Sequence, residues 1–139
     1  MDRAAEAAPG AQIDGVLVSE LVTGGVETVI GMTRDEVFGP AVMFGLGGVF
    51  VEVLKDVTFR VPPFDEAQAR AMVASIRGHA LLRGARGRPA VDIDGIVAAI
   101  MSLQHLALDL GDDILELDVN PLLARSDGVV ALDALVTVA

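Results

Sequence analysis

The sequence predicts an α+β domain in which helices pack on one face of a largely antiparallel sheet. Three observations lead there. β-Branched runs fill the first sixty residues, the apolar period then switches to that of two helices, and two further strand patterns close the chain. The order β-β-β-β, α-α, β-β does not suit a parallel βαβ series, and it leaves one face of the sheet for a ligand.

Taking the elements in order, residues 13–22 (IDGVLVSELV) and 26–33 (VETVIGMT) flank Thr23-Gly24-Gly25 and read as an antiparallel hairpin. A third run, PAVMF at 40–44, leads into Gly45-Leu46-Gly47-Gly48. A fourth, 49–61, is extended until Pro62-Pro63 stops it. Phe64 as a hydrophobic staple, Asp65 as N-cap and Gln68 three residues on mark a helix that buries Ala69, Met72, Val73 and Ile76 and ends near Gly78. Residues 84–91 (GARGRPAV) form a surface loop. A longer helix follows, capped by Asp92 or Asp94, with Ile93, Ile96, Val97, Ile100, Leu103, Ala107 and Leu110 at helical spacing until Gly111. Strands over 114–123 and 129–138 meet at a turn, Ser126-Asp127-Gly128.

Composition bounds the function. A chain of 139 residues suits one domain, and the absence of cysteine excludes thiol catalysis, disulfides and thiolate zinc sites. Ten basic against twenty acidic residues give a net charge of −10, which repels a polyphosphate backbone, so no nucleic-acid partner is expected. With Lys55 the only lysine, an anion must be held by arginines, backbone amides or a metal. The longest uncharged run, 37–51, is broken by four glycines and a proline and is shorter than a membrane helix requires, so no membrane span is expected. Residues 1–12 carry acidic side chains and no apolar signal core. They read as a flexible lead-in to a folded unit at 13–139, with the cytoplasm as the default compartment. A hydrophobic fraction of 53% in so acidic a domain suggests that something covers part of its surface.

Chemistry concentrates in residues 115–122. In an extended strand Glu116, Asp118 and Asn120 share one face while Leu115, Leu117 and Val119 face the core. Pro121 is expected to interrupt the ladder, and the returning strand brings Asp133 opposite the Asp118/Asn120 end. Magnesium takes one or two protein oxygens and completes its octahedron with water and phosphates, which such a pair would supply. Spacing alone leaves two readings open: a metal site, or a solvated edge hairpin whose acids prevent strand addition.

These residues, together with EVFGPAVMFGLGGVFVEVLKDVTFRVPP, GARGRPAVDID, LELDVNPLL and DGVVALDA, occur in an order that resembles NDP-forming acyl-CoA synthetases. The resemblance is to the carboxy-terminal part of their ATP-grasp domain, as in ADP-forming acetate-CoA ligases related to succinyl-CoA synthetase, and runs from about Gly15 to the end. It implies the larger lobe of an ATP-grasp fold, which binds ATP or another nucleoside triphosphate with Mg²⁺ during transfer of a phosphoryl group toward an acyl phosphate and a CoA thioester. Asn120 falls on the family's magnesium-ligating asparagine and Asp133 on the aspartate of the following strand. Asp118 falls on an acidic residue just before that asparagine, with an outer-sphere or second-metal role. Ser19, Glu20 and Val22 fall at the adenine-side hinge, and Glu27 on a glutamate that contacts the nucleotide. An amino-terminal ATP-grasp lobe and CoA-binding domains, expected in another chain, would complete the site, and the chain alone is expected to be inactive. The alternative is a non-catalytic interaction or regulatory module that keeps the fold and binds a protein, a second copy of itself included.

Other motifs read more plainly. The Gly45–Gly48 segment lacks the spacing of a dinucleotide or P-loop fingerprint and reads as a tight turn. Arg60, Arg86 and Arg88 read as solvated arginines or as clamps for an anion. His79 and His105 have no acid at catalytic spacing and read as structural.

Overall fold

The computed structural model describes residues 6–8, 10–12, 15–48, 55–85 and 87–139. Elements follow in the order β1 (Val26–Asp35), β2 (Gly39–Leu46), β3 (Val57–Arg60), α1 (Glu66–Ser75), α2 (His79–Leu82), α3 (Ile93–Leu110), β4 (Ile114–Arg125), β5 (Gly128–Ala131) and β6 (Ala134–Val138). Every strand pairing is antiparallel, in the order β3-β2-β1-β4-β5, with β6 continuing along β4 beyond β5.

Helices cover one face, as the period switch predicts. Ile30 and Met32 on β1, Val42, Phe44 and Leu46 on β2, and Leu117, Leu122 and Ala124 on β4 meet Met72 and Val73 of α1, Leu82 of α2, and Ile96, Ile100 and Leu103 of α3. α1 starts with the full capping box: the Gln68 amide N–H donates to Asp65 at 2.8 Å and the Asp65 N–H donates to the Gln68 side chain at 3.0 Å. α3 is capped by Asp92, which accepts from the Gly95 N–H at 2.9 Å, and it ends at Gly111. By length and composition α3 is apolar enough to cross a membrane, but its apolar face is the centre of this core.

Two expectations about the strands are corrected. The hairpin between 13–22 and 26–33 does not form: residues 15–23 carry no strand, and residues 13 and 14 lie outside those described. The Gly24-Gly25 turn is present, both at positive φ (+81° and +82°). However, β1 is already paired with β2 on one side and β4 on the other, so no edge is left for the preceding segment. Pro121 interrupts the ladder as expected: the pairing with β1 shifts register between Thr28 and Ile30, and the registers with β5 and β6 skip Asn120 and Pro121. β4 itself runs on to Arg125, and the returning strand breaks opposite, at Leu132-Asp133, which separates β5 from β6. Leu115 faces solvent rather than the core, because a register shift between Ile114 and Glu116 turns it outward. Of the fourth run, β3 holds Val57–Arg60, and residues 49–54 lie outside those described.

Candidate functional site

The face of the sheet opposite the helices carries the oxygen donors. Although β5 and β6 are separate, the register against β4 is the same on both sides of the gap and two hydrogen bonds cross it: the Leu132 N–H donates to the Pro121 carbonyl at 3.0 Å and the Asn120 N–H to the Asp133 carbonyl at 3.1 Å. Asn120 and Asp133 are therefore directly opposite one another. Side chains at opposed positions of an antiparallel ladder share a face with Cβ atoms roughly 5 Å apart, a separation one cation can bridge. Asp133 Oδ1 accepts its neighbour's amide, Ala134 N–H, at 2.9 Å, and among the described residues the other oxygen accepts no hydrogen bond.

Asp118 lies two residues from Asn120 on the same face. Partial burial pushes its carboxyl above the ordinary carboxylate range. A hydrogen bond from the Asn120 side chain opposes that rise, and the negative charges of Glu116 and Asp133 add to it. Asp118, Asn120 and Asp133 thus sit close enough to sense one another. Opposite Asp118 on β1 is Gly31, where a Cβ would stand 2.9 Å from the Leu117 carbonyl and 3.6 Å from Asp118 Oδ1, so the floor beside the carboxylate stays bare. The same row continues through Met43 and Phe59, and these residues with Glu116 line a hollow of about 250 Å³. Among the described residues no three His, Cys, Asp or Glu groups are arranged to hold a metal unaided. One amide oxygen and one or two carboxylates instead match the chemistry of a hard cation shared with a phosphate.

Glu27 lies on the same face, opposite Leu123, roughly 10 Å from Asn120 at the usual strand spacing and rise. It is exposed and lies beside Gly47, whose N–H donates to the Glu27 carbonyl at 2.8 Å, so the expected tight turn does not span Gly45–Gly48: Gly45 and Leu46 are paired residues of β2, and the chain leaves the ladder only at Gly47-Gly48. Two clefts of about 780 and 480 Å³ meet at Glu27. The first is walled by Gly24, Leu123 and Arg125, the second by Leu46, Gly48 and Leu81, and Arg88 lines both. Arg88 forms no ion pair among the described residues, whereas Arg125 is tied to Asp127 at 3.0 Å. Ser19 and Glu20 are exposed and Val22 is half-buried, all in the segment without strand structure, and none of them lines either cleft. The structure therefore brings Asn120, Asp133 and Asp118 together and leaves Ser19, Glu20 and Val22 apart from them.

His79 Nδ1 lies 3.0 Å from the Val73 carbonyl and His105 is exposed on α3, in keeping with structural roles. Sequence reading passed over Asp56, which is buried at the foot of β3 and accepts from the Arg77 and Gly78 amides at 2.8 and 2.7 Å. An acid opening a β-branched strand after the sole lysine was the only local signal.

Comparison with known proteins agrees with this architecture. A family model described as an ATP-grasp domain matches residues 1–138. The β subunit of ADP-forming acetate–CoA ligase II from Pyrococcus furiosus is 46% identical over 128 residues, covering 91% of this chain and 54% of that subunit. The β subunit of the corresponding ligase I from the same organism is 44% identical over 134 residues, covering 96% of this chain and 57% of that subunit. A dinucleotide forming acetyl-coenzyme A synthetase from Ca. Korarchaeum cryptofilum, solved with coenzyme A and Ca-AMPCP, superposes with a TM-score of 0.87 at 40% identity, covering 99% of this chain and 60% of its own. The chain thus spans a little over half the length of these relatives. An antiparallel sheet with helices on one face, and a family match along almost its whole length, place this chain in the ATP-grasp family.

Proposed function

We propose that the chain is the Mg²⁺-nucleotide-binding lobe of an NDP-forming acyl-CoA synthetase, an acid–CoA ligase. In this role it holds ATP or another nucleoside triphosphate while a phosphoryl group moves toward an acyl phosphate and a CoA thioester. The observation that carries this reading is the direct opposition of Asn120 and Asp133 across one ladder, with Asp118 beside them. Asn120 and Asp133 are the proposed magnesium ligands, and Asp118 orients Asn120 or serves a second ion. Glu27, on the same face, would accept hydrogen bonds from ribose hydroxyls, with Ser19, Glu20 and Val22 at the base-proximal hinge. Magnesium bound there would neutralise phosphate charge, and this chain's own residues position the nucleotide along the open face of the sheet.

Completion by an amino-terminal ATP-grasp lobe and CoA-binding domains, in the same or another polypeptide of the cytoplasm, is supported by the partial coverage of the relatives. Exposed Val16, Leu17, Val18 and Leu21 also support it, since they leave an apolar strip for another surface. That strip equally favours a second reading, a non-catalytic interaction module that retains the fold. Calorimetric titration of the purified chain with Mg-ATP separates the two. We expect weak, magnesium-dependent binding that drops at least about tenfold in Asn120→Ala and in Asp133→Ala, as loss of a charge-assisted contact predicts. Equal binding by the double variant, or none by the wild type with or without completing domains, leaves the interaction module as the reading.

A further inference from the structure

The end of the sheet remote from Glu27 carries a second kind of surface. The three residues between β1 and β2, Glu36-Val37-Phe38, form the turn, and Val37 and Phe38 are 81% and 70% exposed. Two adjacent large apolar side chains this exposed usually belong to a mobile loop, but here the turn is tightly held. Asp35 Oδ1 accepts from the Val37 and Phe38 amides at 2.8 and 2.9 Å, an interaction that holds the Asp35 carboxyl below its usual range and keeps it charged. Arg34 fastens the strand end to the corner after α3 by donating to the Gly111 carbonyl and by pairing with Asp112 at 2.7 Å. The backbone that presents the apolar pair is therefore held by these bonds, which lowers the ordering entropy that docking costs.

Its surroundings are acidic. Asp35 and Glu36 belong to the turn itself, and Asp112 and Asp113 lie at the corner that Arg34 grips. Arg34 is the one cation on these elements near the tip, and it is already paired. We propose that Val37 and Phe38 form a docking knob for another protein surface, an apolar socket rimmed by arginines or lysines. An aliphatic and aromatic anchor in a socket is the usual energetic centre of an interface, and the acidic rim selects a basic one. A second copy of this chain is a poor occupant, because it carries ten basic against twenty acidic residues and a single lysine. The same charge repels an anionic membrane. The proposal does not depend on the nucleotide reading, because the knob lies at the opposite end of β1 from Glu27.

A random peptide display library supplies the test. Selection on the purified chain is expected to return peptides with an aromatic or aliphatic residue flanked by Arg or Lys. Their affinity should fall at least tenfold against Phe38→Ser and against Val37→Ser, and severalfold between low and moderate salt. Asp35→Ala retains both apolar side chains but loosens the turn, and should weaken the same peptides to an intermediate degree. Amide NMR spectra of each variant report whether the fold is kept. Selected peptides that lack basic residues, peptides that bind Phe38→Ser as well as wild type, or a library that yields no peptide dependent on Phe38 each overturn the proposal.

Discussion

Asp118 illustrates how one side chain can be set against the fold that holds it. Burial and two negative neighbours favour its protonated form, so the folded chain binds that proton more tightly than the unfolded chain. The resulting stability is complete below the unfolded value of 3.8 and is lost as pH rises through the higher folded value. Asp118→Asn removes the charge and retains hydrogen-bonding capacity. Its melting temperature relative to wild type is therefore expected to rise as pH goes from about 3 to 7, measured by thermal denaturation across that range, and a constant difference would exclude the effect. Residue types and spacing already place Asp118 and Asn120 on one side of a strand, because the two-residue period is local. The outward turn of Leu115 was hidden, since a bulge depends on how the partner strand β6 registers. The opposition of Asn120 and Asp133 was legible because a short turn at Ser126-Asp127-Gly128 fixes the register of a hairpin from sequence alone.

Among elements, the helices were read best. N-cap acids and apolar periodicity are written within a few residues: α1 begins at Asp65, as marked, and α3 at Asp92, one of the two acids the pattern left open. The strands were read less well. Residues 15–22 have the composition of a strand, but pairing needs a free edge, and which edges are free depends on contacts far along the chain. The junction of α1 and α2 was also misjudged. α1 ends at Ser75, and Gly78 caps the next short helix instead of closing the first. What fixes that junction is Asp56, which reaches across from β3 to two backbone amides. Asp56→Ala strands both donors near the core and should destabilise the chain by about 2–3 kcal/mol, read from urea unfolding with an unchanged slope. Asp56→Asn, which keeps one acceptor, should recover part of that loss.

At the scale of the whole molecule, one side of the sheet is sealed by helices and the other carries no helix among the described residues, with the proposed metal ligands and Glu27 along it. An incomplete enclosure of this kind agrees with a chain that matches little more than half of its relatives. It also explains why a sequence this apolar leaves leucines and valines uncovered at 16–21. Because β1 is hydrogen-bonded along both sides, the peptide groups of that leading segment have no ladder to join on β1, and they join none among the described strands. They can act as a clock for assembly: in deuterated buffer residues 16–22 should exchange at the rate of an unstructured peptide while Ile30 and Met32 stay protected. Added completing domains should slow the leading segment by roughly tenfold or more, and a segment that is already protected in the isolated chain would show that its partner strand lies within these 139 residues.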